Sequence, residues 1–148
     1  MFVYGRLSFA AVLLCLGCTY AISKEDETSL KQVLRPHMLE CAEEFGITEE
    51  QIEEAKKKGN KHNMDPCFLA CMMKKADFMN SDGKFDVEKT VSFAKDHSLS
   101  EKAVKFFETV GEECVKVNDE EVGDGEKGCE RAKLLFHCVH EIKKKMSE

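Results

Sequence analysis

The chain has 148 residues, with 28 acidic against 22 basic side chains and a net charge of −6 at neutral pH. A balance this acidic, with the lysine runs at 56–58 and 143–145 flanked by glutamates, speaks against a nucleic-acid surface. It holds no tryptophan, only two prolines, no internal repeat and no low-complexity tract, so nothing marks a second domain.

The first segment carries an export signal. Met1 to Arg6 supplies one positive charge, and Leu7 to Gly17 then runs almost wholly apolar through Ala10, Ala11, Val12, Leu13 and Leu14. That run is too short for a stable bilayer span, and Thr19 and Ala21 put small residues where a signal peptidase reads before its cut. The expected division is a signal peptide over 1–21 and a single mature domain over 22–148, beginning near Ile22. Losing Arg6 takes the charge from −6 to −7. A lipoprotein signal ending at Cys18 fits less well, because Cys15 stands where that signal wants leucine. The mature part has no second span-length apolar stretch and no Asn-x-Ser/Thr acceptor.

Six cysteines remain after Cys15 and Cys18 leave with the signal: Cys41, Cys67, Cys71, Cys114, Cys129 and Cys138. An even number in an exported chain predicts three bridges. A domain of this size buries only about two-thirds of its unfolded surface. Each long-range bridge should therefore matter, at roughly 3 to 5 kcal/mol.

Helix is the dominant local signal. Leu30, Leu34, Met38, Cys41 and Phe45 form a first stripe, with Pro36 inside it predicting a kink or a break. Thr48 and Gln51 make a capping box flanked by Ile47 and Ile52, opening a helix over 49–58 that Gly59 closes. Asp65 and Pro66 are a good N-cap and first residue for a third helix through Cys67, Leu69 and Met73 to about Met79. Asn80, Ser81, Asp82 and Gly83 make a turn. A weaker helix is expected over 86–96, with Val87, Val91 and Ala94 buried.

Ser98 with Glu101 reads as a second capping box, ahead of a helix whose face carries Ala103, Phe107, Val110 and Cys114. Asn118 to Gly128, rich in acids and glycines, reads as a solvated loop. A final helix over 127–145 carries Ala132, Leu135, Val139 and Ile142, and no convincing alternating strand pattern exists.

Cys67 and Cys71 lie four apart on one helix and share a face, so they are better placed to reach two other elements than each other. Cys129 and Cys138 lie nine apart, about two and a half turns, and face opposite ways. A rigid cage would result. Spacing alone leaves all fifteen pairings of six cysteines open.

Between the cysteines lie 25, 3, 42, 14 and 8 residues. This spacing resembles the six-cysteine pattern of the insect pheromone and general odorant-binding proteins, and the gaps of three and eight are the tight elements of that pattern. The resemblance covers essentially the whole mature chain. It implies the pairing Cys41–Cys71, Cys67–Cys129 and Cys114–Cys138, and an all-α fold of about six helices around an apolar cavity.

The implied activity is carriage of small hydrophobic ligands through aqueous fluid such as sensillar lymph, with no cofactor and no catalysis. It further implies a membrane chemoreceptor downstream, a monomer or weak dimer, and neither nucleic-acid binding nor membrane insertion. Leu34, Met38, Leu69, Met72, Met73, Phe107, Val110, Leu135 and Val139 face inward by helical phase. As apolar helix stripes they are core by default; as cavity lining they follow from the resemblance. Methionines 72 and 73 would let the wall adapt to differing shapes.

Ten residues follow Cys138, too few for the C-terminal segment that some pheromone carriers insert into the cavity to control release with pH. A histidine switch would have to use His37, His62, His97, His137 or His140. His137, His140 and Glu141 sit at helical spacing, but Cys138 between them belongs to a bridge and no third metal ligand is apparent. There is no Gly-x-Ser-x-Gly elbow and no free mature cysteine, and Asp96, His97 and Ser98 are adjacent in sequence rather than arranged as a triad. Asp82-Gly83 has too few alternating acids for a calcium loop. The competing function is a secreted signalling or fluid protein whose surface meets a protein partner. A deep apolar cavity would favour the carrier, a packed interior with an exposed apolar patch the alternative.

Overall fold

In a computed structural model of the chain, residues 22–57 and 64–147 are described. The proposed signal segment, Gly59 and His62 lie outside them. Helix α1, Lys24–Phe45, starts at Ser23, whose hydroxyl accepts the Asp26 N–H at 3.1 Å, and three acids in the first turn face the positive end of the helix dipole. It ends in a Schellman motif at Gly46, φ 65°, where the Ile47 N–H reaches back to the Ala42 carbonyl at 2.8 Å. Of the kink or break expected at Pro36, the break does not occur: one helix runs through it. Gln32, whose carbonyl loses its partner, and Pro36 are both exposed, so that carbonyl is open to solvent rather than buried unpaired.

Helix α2, Glu49–Lys57, has both arms of its capping box, Gln51 N–H to Thr48 Oγ1 at 3.2 Å and Thr48 N–H to Gln51 Oε1 at 2.9 Å. Helix α3, Pro66–Lys75, is capped by Asp65, which accepts the Cys67 N–H at 2.8 Å. It stops four residues short of the expected end. Asp77 takes a left-handed φ of 62°, and the chain doubles back so that Met79 pairs with Phe85 in an isolated antiparallel bridge. Asn80 Oδ1 organises that turn by accepting the Asp82 and Lys84 N–H groups, each at 3.0 Å.

Helix α4, Val87–Asp96, buries Thr90, Phe93 and Ala94, while Val87 and Val91 are half-buried. Helix α5, Glu101–Cys114, comes close to α4 because Gly111 has no side chain. A Cβ there would stand 2.8 Å from Val87 Cγ1. The N-cap of α5 is Ser100 rather than Ser98, which sits at φ 53°. The 118–128 stretch is more ordered than a solvated loop: it holds 3-10 turns at Val115–Asp119 and Gly125–Lys127, and Asp124 Oδ2 caps α6, Cys129–Ser147, through the Cys129 N–H at 2.7 Å.

Bridges Cys41–Cys71, Cys67–Cys129 and Cys114–Cys138 tie α1 to α3, α3 to α6, and α5 to α6. The main core gathers Phe85, Phe93, Phe106, Phe107, Val110, Leu135 and Ile142, and Met146 packs against it from the last turn of α6. Arg131 is 6% exposed. Its guanidinium donates to the Val117, Glu120 and Gly83 carbonyls at 3.0, 2.9 and 3.5 Å, binding the irregular 115–128 segment to the Asn80–Gly83 turn.

Asp26, also 6% exposed, joins the starts of α1 and α5. Its carboxylate accepts the Ser100 N–H at 3.0 Å, the Ser100 hydroxyl, and the Ser23 hydroxyl at 2.9 Å. Burial pushes its pKa up, but the bonds from Ser100 and Ser23 together outweigh burial and hold it below the ordinary carboxylate value. The stability this carboxylate contributes is therefore present above the unfolded pKa of about 3.9 and lost as pH falls from there through the lowered folded value. Asp26→Asn should cost about 1 to 2 kcal/mol at neutral pH. It should also flatten the fall of Tm between about pH 4 and 2. Thermal melts across that range check both, and an unchanged acid slope in the variant would rule the assignment out.

Candidate functional site

Where the helices converge they leave a cavity of about 630 Å³. Each wall comes from one amphipathic stripe. Leu34 and Met38 from α1 face Leu69, Met72 and Met73 from α3; Phe107 and Val110 from α5 and Leu135 and Val139 from α6 complete the ring. These are the nine residues that helical phase pointed inward, and the structure brings all nine onto one surface.

Sequence reasoning missed thirteen of the described lining residues. Phe68 widens the α3 stripe beside Leu69, Ala76 continues it at the C-cap, Phe106 and Phe136 widen the α5 and α6 stripes, and Ile52 and Ala55 bring α2 into the wall. Extending each stripe by its neighbouring helical positions would have found them. Phe78 and Phe85 had no such signal, because the Met79–Phe85 bridge places them.

The site is apolar by construction. Phe78 stacks edge-on to Phe93 at 4.9 Å, and Phe106 edge-on to Phe107 at 5.7 Å, so its aromatic side is stiff. Met38, Met64, Met72 and Met73 add unbranched thioethers to the same lining. A molecule entering gains roughly 25 cal/mol per Å² of apolar surface removed from water. A hollow interior loses packing contacts, and the three bridges offset that loss by restricting the unfolded chain.

No described histidine lines the cavity, and His97 stacks on Phe93 at 4.4 Å from outside it. Among the described residues no group of histidine, cysteine or acidic side chains could hold a metal, the His137–His140–Glu141 set included. Nor is any helix among them long and apolar enough to cross a membrane.

Among the described residues, six helices caged by three interlocked bridges around an apolar cavity form an architecture of the odorant-binding type. The chain belongs to the PBP/GOBP family, whose profile it matches over residues 23–142. Its fold is similar to that of an odorant-binding protein from Drosophila melanogaster, at a TM-score of 0.55 and 25% identity, over 81% of this chain and 96% of that one. No curated relative matches the sequence significantly.

Proposed function

We propose that the chain is an extracellular carrier that takes up small hydrophobic molecules, odorants, pheromones or similar, and moves them through aqueous fluid. Residues 1–21 act as the export signal and 22–148 as the exported domain, which suits the packing of Ile22 against the main core. The supporting observation is the cavity itself: about 630 Å³ falls within the range of pockets that enclose whole small molecules, and its wall is almost entirely aliphatic, aromatic and thioether. A downstream membrane chemoreceptor belongs to the same reading.

The oxidised, secreted protein should take up an apolar fluorescent probe at one saturable site. Long-chain alcohols, esters, aldehydes and aromatics should displace it at micromolar levels with clear differences among them. A correctly bridged protein that takes up no probe would overturn the carrier reading in favour of a partner-binding one.

A further inference from the structure

Three described lining residues have polar side chains: Gln51, Asp65 and Thr90. The first two are exposed and engaged in helix caps, Gln51 Oε1 on the Thr48 N–H and Asp65 Oδ1 on the Cys67 N–H. Thr90 is different, for it is 3% exposed and shares its wall with Phe85, Phe106, Phe107 and Val110. Its hydroxyl proton is spent inside its own helix, donated to the Asp86 carbonyl at 2.7 Å. A hydroxyl has one proton and two lone pairs, so what Thr90 still offers is an acceptor. No described lining side chain is a cation.

The geometry points to Thr90 as the specificity-determining residue of the cavity, and to neutral apolar alcohols and phenols as the favoured ligand class. A ligand hydroxyl donates to Thr90 Oγ1 while the Thr90–Asp86 bond stays intact. An aldehyde or ester oxygen has no proton to give, and it could bond Thr90 only by drawing the hydroxyl proton away from Asp86. A carboxylate would enter the apolar wall with no positive partner, which burial penalises most. This inference rests on the carrier reading.

The test measures displacement of N-phenyl-1-naphthylamine from the oxidised, secreted protein by an alcohol, aldehyde, methyl ester and carboxylate of one chain length. Wild type should bind the alcohol about three- to tenfold more tightly than the aldehyde, the worth of one neutral hydrogen bond. Thr90→Val, which keeps the shape and removes the acceptor, should bring the two affinities to within about twofold by weakening the alcohol alone, and Thr90→Ser should restore the preference. Equal wild-type affinities, or an alcohol preference that survives Thr90→Val, would overturn the assignment while leaving the carrier reading standing. Should Thr90→Val fail to fold, Thr90→Ala, which also removes the acceptor, gives the same reading. Absence of probe uptake would sink both.

Discussion

Replacing Cys67 and Cys129 together by alanine should lower the unfolding free energy by about 4 kcal/mol, the largest loss among the three bridges. The bond closes a separation of 62 residues, against 30 for Cys41–Cys71 and 24 for Cys114–Cys138, so it removes the most freedom from the unfolded chain. It also pins the first turn of α3 to the first residue of α6, beside the small core where Leu69, Ala70, Met79 and Ala132 meet. With typical domain stabilities of about 5 to 15 kcal/mol, such a loss leaves a fold close to its threshold at 37 °C. Urea unfolding of the three double variants checks the order. A Cys67/Cys129 variant less affected than the other two would show that native-state packing, not chain entropy, sets their contribution.

Gly83→Ala should be the most damaging change of a single turn residue, at about 2 to 4 kcal/mol, because Gly83 is buried in its turn. Gly83 sits at φ 75°, where any Cβ is strained, and the added carbon would lie 2.8 and 3.0 Å from the Gly125 and Glu126 carbonyl oxygens and 3.1 Å from Gly128 Cα. Those are backbone atoms of a segment that Arg131 already holds against the Gly83 carbonyl, so they have little room to yield. Gly46→Ala is the control. It shares the left-handed backbone, at φ 65°, but meets nothing within 4 Å, and should cost only about 1 kcal/mol. Equal losses in the two variants would mean that backbone strain alone governs the site. Because the same turn carries Phe85 into the cavity wall, Gly83→Ala should also weaken ligand uptake.

What could be read in advance was whatever a few neighbouring residues decide. The Thr48–Gln51 box, the Asp65–Pro66 start and the α3, α5 and α6 stripes are local chemistry, and each stands where the residues put it. The α5 cap was misplaced because its cause is distant: Ser98–Glu101 fits the box pattern, but Asp26, 74 residues away from Ser100, takes the Ser100 N–H and hydroxyl and selects it instead. Arg131 shows the same effect more strongly. No sequence pattern buries an arginine, and this one is buried because carbonyls from two separate segments, Gly83 on one side and Val117 and Glu120 on the other, converge on it. Phe78 and Phe85 reach the cavity through a two-residue bridge too short to leave any periodicity. Pro36 went the other way, since the local rule against proline in a helix yields where the orphaned carbonyl faces water.

The most direct test of the carrier account is an NMR measurement of intermolecular contacts between a bound long-chain alcohol and the methyl groups of the oxidised protein. The account predicts contacts to Leu34, Met73, Val110, Leu135 and Val139 together, since all five line one cavity. Contacts confined to the exposed Leu39, Val115 and Leu134 would contradict it and place binding on the outer surface.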